Sequence, residues 1–155
     1  MSKNLVVYFS ASGVTRNVAE ALSGLVDADL YEIKPVKLYS NADLNWMDDK
    51  SRSSVEMRDK NSRPEISGEL PNLEEYENIF IGFPIWWYTA PHIINTFLEK
   101  CNIMDKTLIP FATSGGSSIE KSARDLKSAY PLANWKPGKL IKGRITKDML
   151  KGWIE

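Results

Sequence analysis

An α/β domain built on a parallel sheet of about five strands, with helices in the crossovers, is what the sequence predicts. Three observations carry that reading. Leu5–Phe9, Asn78–Phe83 and Thr107–Ala112 are short, largely apolar runs rich in β-formers, the pattern of strands buried on both faces. Between them lie helical stretches with apolar residues at three- and four-residue spacing. The chain has 155 residues, so one domain over residues 1–155 is expected, with a core that needs no disulfide or metal. No internal repeat or low-complexity tract is present.

The elements follow in order. After the first strand, Leu5–Phe9, the residues Val14, Val18, Leu22 and Leu25 form one apolar helical stripe. Leu30–Ile33 reads as a second strand, ended by Pro35. Residues 37–72 are polar and charged. Their few apolar anchors are Leu38, Leu44, Trp46, Met47, Val55, Met57 and Ile66. A structureless excursion of that length is uncommon unless it is functional. After the strand Asn78–Phe83, Pro91 sits where a first helical turn accepts it. Ile93, Ile94, Phe97, Leu98 and Cys101 make the apolar face of that helix. Thr107–Ala112 is the next strand, although Pro110 costs it a backbone donor. Ser117 and Glu120 have capping-box spacing and open a helix with Ile119, Ala123 and Leu126 inward. Gly138–Gly143 is a weak fifth strand. Thr146 reads as the N-cap of a last helix over Lys147–Ile154, with Ile145 and Leu150 spaced for a hydrophobic staple.

Composition excludes several classes. Lys plus Arg and Asp plus Glu are both 20, so the net charge is zero. The basic footprint of a nucleic-acid binder is absent, and so is a strong acidic field that would steer a basic partner. No stretch approaches the roughly 18–20 apolar residues of a membrane span, and the first apolar run is too short for a signal peptide. Cys101 is the only cysteine, which rules out an internal disulfide and fits a reducing, cytoplasmic setting. One histidine and one cysteine supply no metal-ligand set of the usual spacing.

Three strand-end segments carry candidate chemistry. In the first, Ser10, Ser12 and Thr15 surround Gly13 before Arg16. Hydroxyls and unpaired amides at a helix N-terminus, with the favourable end of its dipole, suit a phosphate. A plain N-cap needs only one of those hydroxyls. Neither the Gly-x-x-x-x-Gly-Lys loop nor the Gly-x-Gly-x-x-Gly fingerprint is present. In the second, Gly82–Pro91, the rings of Trp86, Trp87 and Tyr88 are adjacent and cannot all enter one core. At least one is expected to face a cleft or solvent, where it can stack on a planar ligand. The third, Thr113–Ser118, sets two glycines among four hydroxyls, which suits either a ligand's polar edge or a capped turn. Together, at the carboxyl edge of a parallel sheet, the three fit a planar aromatic ligand bearing a phosphate.

On these loops the chain resembles the flavodoxin-like FMN-binding proteins, in the subgroup with Pro-Ile-Trp-Trp and Thr-Ser-Gly-Gly loops. The resemblance covers nearly the whole chain, including Asp43, Trp46, Arg52 and Arg63-Pro64 of the excursion. It implies a flavodoxin-like, doubly wound, five-stranded parallel sheet in the order 2-1-3-4-5, with a polar excursion after strand 2, and FMN as cofactor. By position, Ser10, Ser12, Gly13, Val14, Thr15 and Arg16 would hold the phosphate. Pro84, Ile85, Trp86, Trp87 and Tyr88 would line the ribityl chain and ring. Thr113, Ser114, Gly115, Gly116 and Ser117 would meet the ring's polar edge. Glycines and serines stand where carrier flavodoxins place a second aromatic, so one ring face is open or is covered by the excursion or a second subunit.

The implied activity is electron transfer to a redox partner protein. The alternative is a small NAD(P)H-dependent FMN oxidoreductase or quinone reductase, favoured by the glycine-rich third loop and the neutral charge. No side-chain acid or base is demanded, and a monomer and a homodimer are both compatible. A response-regulator-like domain would need an acidic cluster where Ser10, Pro84 and Thr113 stand, and a cofactor-free interaction module is the remaining reading. His92 suits a surface or cap position better than a catalytic one. Cys101 suits a buried, inert thiol. Arg52, Arg58 and Arg63 are either solvated or available to a nicotinamide partner's phosphate, and Trp46 either folds over the flavin or anchors the excursion.

Overall fold

The computed structural model describes residues 3–114 and 117–154. Strands β1 (Lys3–Tyr8), β2 (Ala28–Glu32), β3 (Tyr76–Pro84) and β4 (Thr107–Thr113) are parallel and lie in the order β2-β1-β3-β4. Two short strands, β5 (Asn134–Trp135) and β6 (Lys139–Ile141), both pair with β4 and complete the expected 2-1-3-4-5 arrangement. Alternate residues of the central strands face opposite ways. Leu5, Val7, Ile79, Ile81 and Leu108 pack towards α3 (His92–Lys100) and α4 (Glu120–Ala129). Val6, Tyr8, Phe80, Ile109 and Phe111 pack towards α1 (Val14–Leu25) and α5 (Lys147–Lys151). Helices on both faces are what make continuously apolar strands possible.

The fifth sheet position departs from the single strand expected at Gly138–Gly143. β5 covers Thr107 and Leu108, β6 covers Phe111 to Thr113, and the interruption falls beside Pro110. Pro110 has no N–H to donate to a neighbour there. Gly138 passes it at close range: a Cβ at Gly138 would lie 3.1 Å from the Pro110 ring and 2.9 Å from Ile119. The proline and the glycine together split the strand.

Two helix starts and one helix end also differ from expectation. Val14 is the first residue of α1 and 55% exposed, whereas Thr15 takes the inward position. Adjacent residues of a helix point about 100° apart, so only one of the pair can face the sheet. Ser117 does not cap α4, which begins at Glu120 after Ile119; the Ser117 amide instead donates to Ser114 Oγ at 2.9 Å. The last helix holds its Thr146 N-cap and buries Ile145 and Leu150, but it ends at Lys151.

The excursion between β2 and β3 is closed at its neck by an antiparallel bridge. The Val36 amide donates to the Glu65 carbonyl at 3.0 Å, and the Ser67 amide donates to the Lys34 carbonyl at 2.7 Å. Its expected anchors Leu38, Trp46, Met47 and Val55 are exposed. The expected anchor Ile66 does pack against the core, as does Tyr39, and polar bonds supply the rest. Within it, α2 (Arg52–Arg58) is capped by Ser51, whose hydroxyl accepts from the Ser54 amide. Arg52 bonds Glu56 at 2.8 Å and the Lys37 carbonyl at 2.7 Å. Arg58 donates to the Asp49 carbonyl, and Arg63 to Glu99. The three arginines are thus engaged within the chain.

Gly82 lies beside Phe111 across β3 and β4, and a Cβ there would fall 2.1 Å from the buried Phe111 ring. Gly82→Ala should therefore destabilise the protein by about 3 kcal/mol, read by urea unfolding. Phe111→Leu in the same chain should recover part of that loss. An additive double variant would count against the clash.

Candidate functional site

The carboxyl ends of β1, β3 and β4 bring the three predicted loops to one edge. Phe9 follows β1, and its amide donates to the Gly82 carbonyl at 3.0 Å. The chain then turns through Ser10–Gly13, where the Ser10 hydroxyl accepts from the Gly13 amide at 3.0 Å. Gly13 has φ of 97°, a conformation that glycine adopts without strain, and no side chain caps α1. The amides of Ser12, Val14, Thr15 and Arg16 have no partner among the described residues. With the helix dipole behind them, they face a position suited to an anion.

Arg16 is paired within the chain. Its guanidinium is held by Glu32 at 2.6 Å, and this ion pair with the Tyr8 hydroxyl raises its pKa further. Thr15 joins the first loop to the third: its buried hydroxyl lies 2.8 Å from that of Thr113. The Ile85 amide donates to the Thr113 carbonyl at 3.1 Å, tying the second loop to the same point. Gly115 and Gly116 lie outside the described residues. A hollow of about 350 Å³ beside the first loop is lined by Phe9, Ser10, Ala11, Arg16 and Tyr39, among others.

The second loop is strained. Trp86 and Thr89 exchange backbone hydrogen bonds at 2.9 and 3.1 Å around Trp87 and Tyr88. Those two residues have φ of 49° and 67°, in the left-handed region. Such a turn normally takes Asn-Gly, and each bulky residue there costs about 1–2 kcal/mol. The turn holds both rings outward, Trp87 42% and Tyr88 65% exposed. The Thr89 hydroxyl fixes the turn to α4 through Asp125 at 3.1 Å. Trp86 points inward. It meets Phe9 and Tyr39 edge to face, at centroid distances of 5.7 and 5.3 Å.

Trp86, Trp87 and Tyr88 line a cleft of about 610 Å³ with Ile85, Ser117, and Leu44, Trp46 and Ser53 of the excursion. That volume lies in the range of small-molecule and cofactor sites. Sequence reasoning passed over Tyr39 and Ser53 and read Leu44 only as an anchor of the excursion. Tyr39 is the hinge of this wall: it donates to Glu56, stacks under the Arg52 guanidinium at 3.8 Å, and is held protonated by burial and by Glu56. A tyrosine just beyond Pro35, where β2 gives way to the excursion, was the available signal.

His92 and Cys101 lie away from the cleft lining. His92 opens α3 and shares a 2.6 Å hydrogen bond with Ser62 of the excursion. Cys101 is half-buried, and burial pushes its thiol up to about 11. It is therefore a poor nucleophile.

Trp87→Asn combined with Tyr88→Gly should stabilise the ligand-free protein by about 1–3 kcal/mol, because it relieves the turn. Urea unfolding reads it, and a loss of stability would show that ring packing outweighs the strain. Burial, and then the charge of Arg63, lowers the His92 pKa below its ordinary value. The unfolded chain then takes up this proton first, so stability should fall as pH drops through about 6.5. It should level off below the folded-state pKa, and His92→Gln should flatten that step in pH-dependent unfolding.

Comparison with known proteins agrees with this architecture. The Flavodoxin family model matches residues 3–155. A candidate flavoprotein from Bacteroides uniformis is 50% identical, with 99% of this chain and 97% of that chain covered and a TM-score of 0.94. Another from Bacteroides eggerthii is 50% identical, with 99% and 96% covered and a TM-score of 0.95. A Lactobacillus acidophilus flavoprotein, solved in complex with FMN, shares the fold at 23% identity, with both chains fully covered and a TM-score of 0.75. A comparison with curated proteins finds no match. With the family model spanning nearly its whole length, the chain belongs to the flavodoxin family.

Proposed function

We propose that this chain binds one FMN at the carboxyl edge of its sheet and acts as an electron-transfer protein. The observation that carries this reading is the buried Thr15–Thr113 hydroxyl bond, which sets the anion-binding amides and the aromatic cleft on one rigid edge. The amides of Ser12 and Val14 to Arg16 hold the phosphate, aided by the Ser10 and Ser12 hydroxyls. Arg16 contributes positive charge from its Glu32-bound position. Pro84, Ile85 and Trp86 line the base of the ring's site, and Trp87 and Tyr88 flank it. Thr113, Ser114, Gly115, Gly116 and Ser117 form its polar edge. Bound FMN supplies the redox chemistry. The protein's own groups orient the ring, exclude water from one side and tune its potential through the contacts they make.

A second reading, a small NAD(P)H-dependent reductase that passes hydride equivalents to a quinone, is favoured by one observation. Zero net charge gives no field to steer a basic partner protein.

Purified protein should be yellow and should release FMN on denaturation, whereas a colourless protein that takes up no added FMN would overturn the proposal. Trp87→Asn with Tyr88→Gly should weaken FMN binding about tenfold to a hundredfold, since each lost ring is worth about 0.5–1.5 kcal/mol. Titration of apoprotein by flavin fluorescence measures it. Anaerobic mixing of the holoprotein with NADPH separates the two readings. Prompt bleaching without another enzyme identifies the reductase, and persistence of the flavin colour identifies the carrier.

A further inference from the structure

The excursion places one polar group in the cleft that nothing in the described structure satisfies. Ser53, in α2, is 2% exposed, and its hydroxyl is the one buried side-chain polar atom without a hydrogen-bond partner among the described residues. Its neighbours are satisfied, because Ser51 Oγ donates to Ser54 Oγ at 2.9 Å and also accepts the Ser54 amide. A helical serine usually falls back on the carbonyl one turn earlier. Ser53 lies in the first turn of α2, so the residue four earlier, Asp49, precedes the helix, and its carbonyl accepts from Arg58 at 2.6 Å. An unpaired buried hydroxyl costs about 1–3 kcal/mol, so a position that keeps one calls for an explanation.

Ser53 is also held in place. Its amide donates to the Asp43 carbonyl at 2.9 Å. Asp43 is itself fixed by a reciprocal pair of bonds with Ser40, at 2.9 and 3.1 Å. On the other side of Ser53, Arg52 is clamped by Glu56 and by the Tyr39 ring. The residue lines the same 610 Å³ cleft as Trp86 and Trp87.

We infer that the Ser53 hydroxyl hydrogen-bonds the polar edge of the flavin ring, making the excursion a fourth binding segment that selects a heterocycle carrying ring heteroatoms. This rests on the FMN reading. Apolar rings such as Trp87 recognise any flat aromatic, whereas a buried hydroxyl is paired only by a ligand with a donor or acceptor at that depth.

The test compares wild type, Ser53→Ala and Ser53→Cys, the last nearly isosteric but a weak hydrogen-bonding group. FMN and riboflavin are the probes, followed by flavin fluorescence and visible absorption, and the unfolding of each apoprotein is recorded. Both variants should bind FMN about tenfold more weakly. Riboflavin should lose affinity by the same factor, because the lost contact is to the ring. The bound-flavin absorption band should shift, and apo Ser53→Ala should melt no lower than wild type. FMN affinity within twofold of wild type in both variants would overturn the inference while leaving the FMN reading intact. A loss seen with FMN but not riboflavin would overturn it too, by placing the effect at the phosphate. Wild-type protein that takes up no flavin would overturn the underlying reading.

Discussion

Three aromatic rings at the end of β1 hold the two walls of the cleft in register. Phe9, Tyr39 and Trp86 meet edge to face, with centroids 5.3–5.7 Å apart. Each comes from a different part of the chain: the end of β1, the start of the excursion and the β3–α3 loop. The arrangement suits the ring quadrupoles, positive edge against negative face. It also sets a dependency. Tyr39 joins Ile66 and Leu70 in packing the excursion against the core, and Trp86 supports the strained turn from within. The cleft is therefore a consequence of packing at the strand end as much as of the loops that line it.

The strain in that turn and the unpaired hydroxyl of Ser53 are of one kind. Both are local costs kept on the same cleft by an otherwise well-satisfied surround. Trp87 and Tyr88 adopt left-handed conformations that their side chains disfavour. Ser53 keeps a buried hydroxyl without a partner among the described residues. The surroundings are over-determined, with Thr89 tied to Asp125, Tyr39 to Glu56 and Arg52, and Thr15 to Thr113. Rigid neighbours are what allow such positions to persist.

The sheet and its order were legible in the sequence because buried parallel strands advertise themselves as unbroken apolar runs, as in Leu5–Phe9 and Asn78–Phe83. The turn after β1 was legible too, since Gly13 between a strand and an apolar helical stripe marks a strand-to-helix turn. What stayed hidden depends on partners distant in sequence. Tyr39 gains its meaning from Phe9 and Trp86, and Arg16 from its ion pair with Glu32. The excursion misled for a physical reason. Of its expected anchors Ile66 packs on the core, but Trp46, Met47 and Leu38 are exposed while Ser51, Ser53 and Ser54 are buried. Strand β5 was missed because two residues between Pro131 and Pro137 carry no periodicity.

The split beside Pro110 bears on how this protein behaves in a crowded solution. A sheet's outermost strand offers a row of free backbone groups to any extended chain that drifts past. Here the β4 side ends in pieces of two and three residues, set apart by Lys136-Pro137-Gly138. No foreign strand can run along so short and broken a border and keep its ladder. The interruption that fits Pro110 into the sheet thus also guards that border against β-sheet self-association.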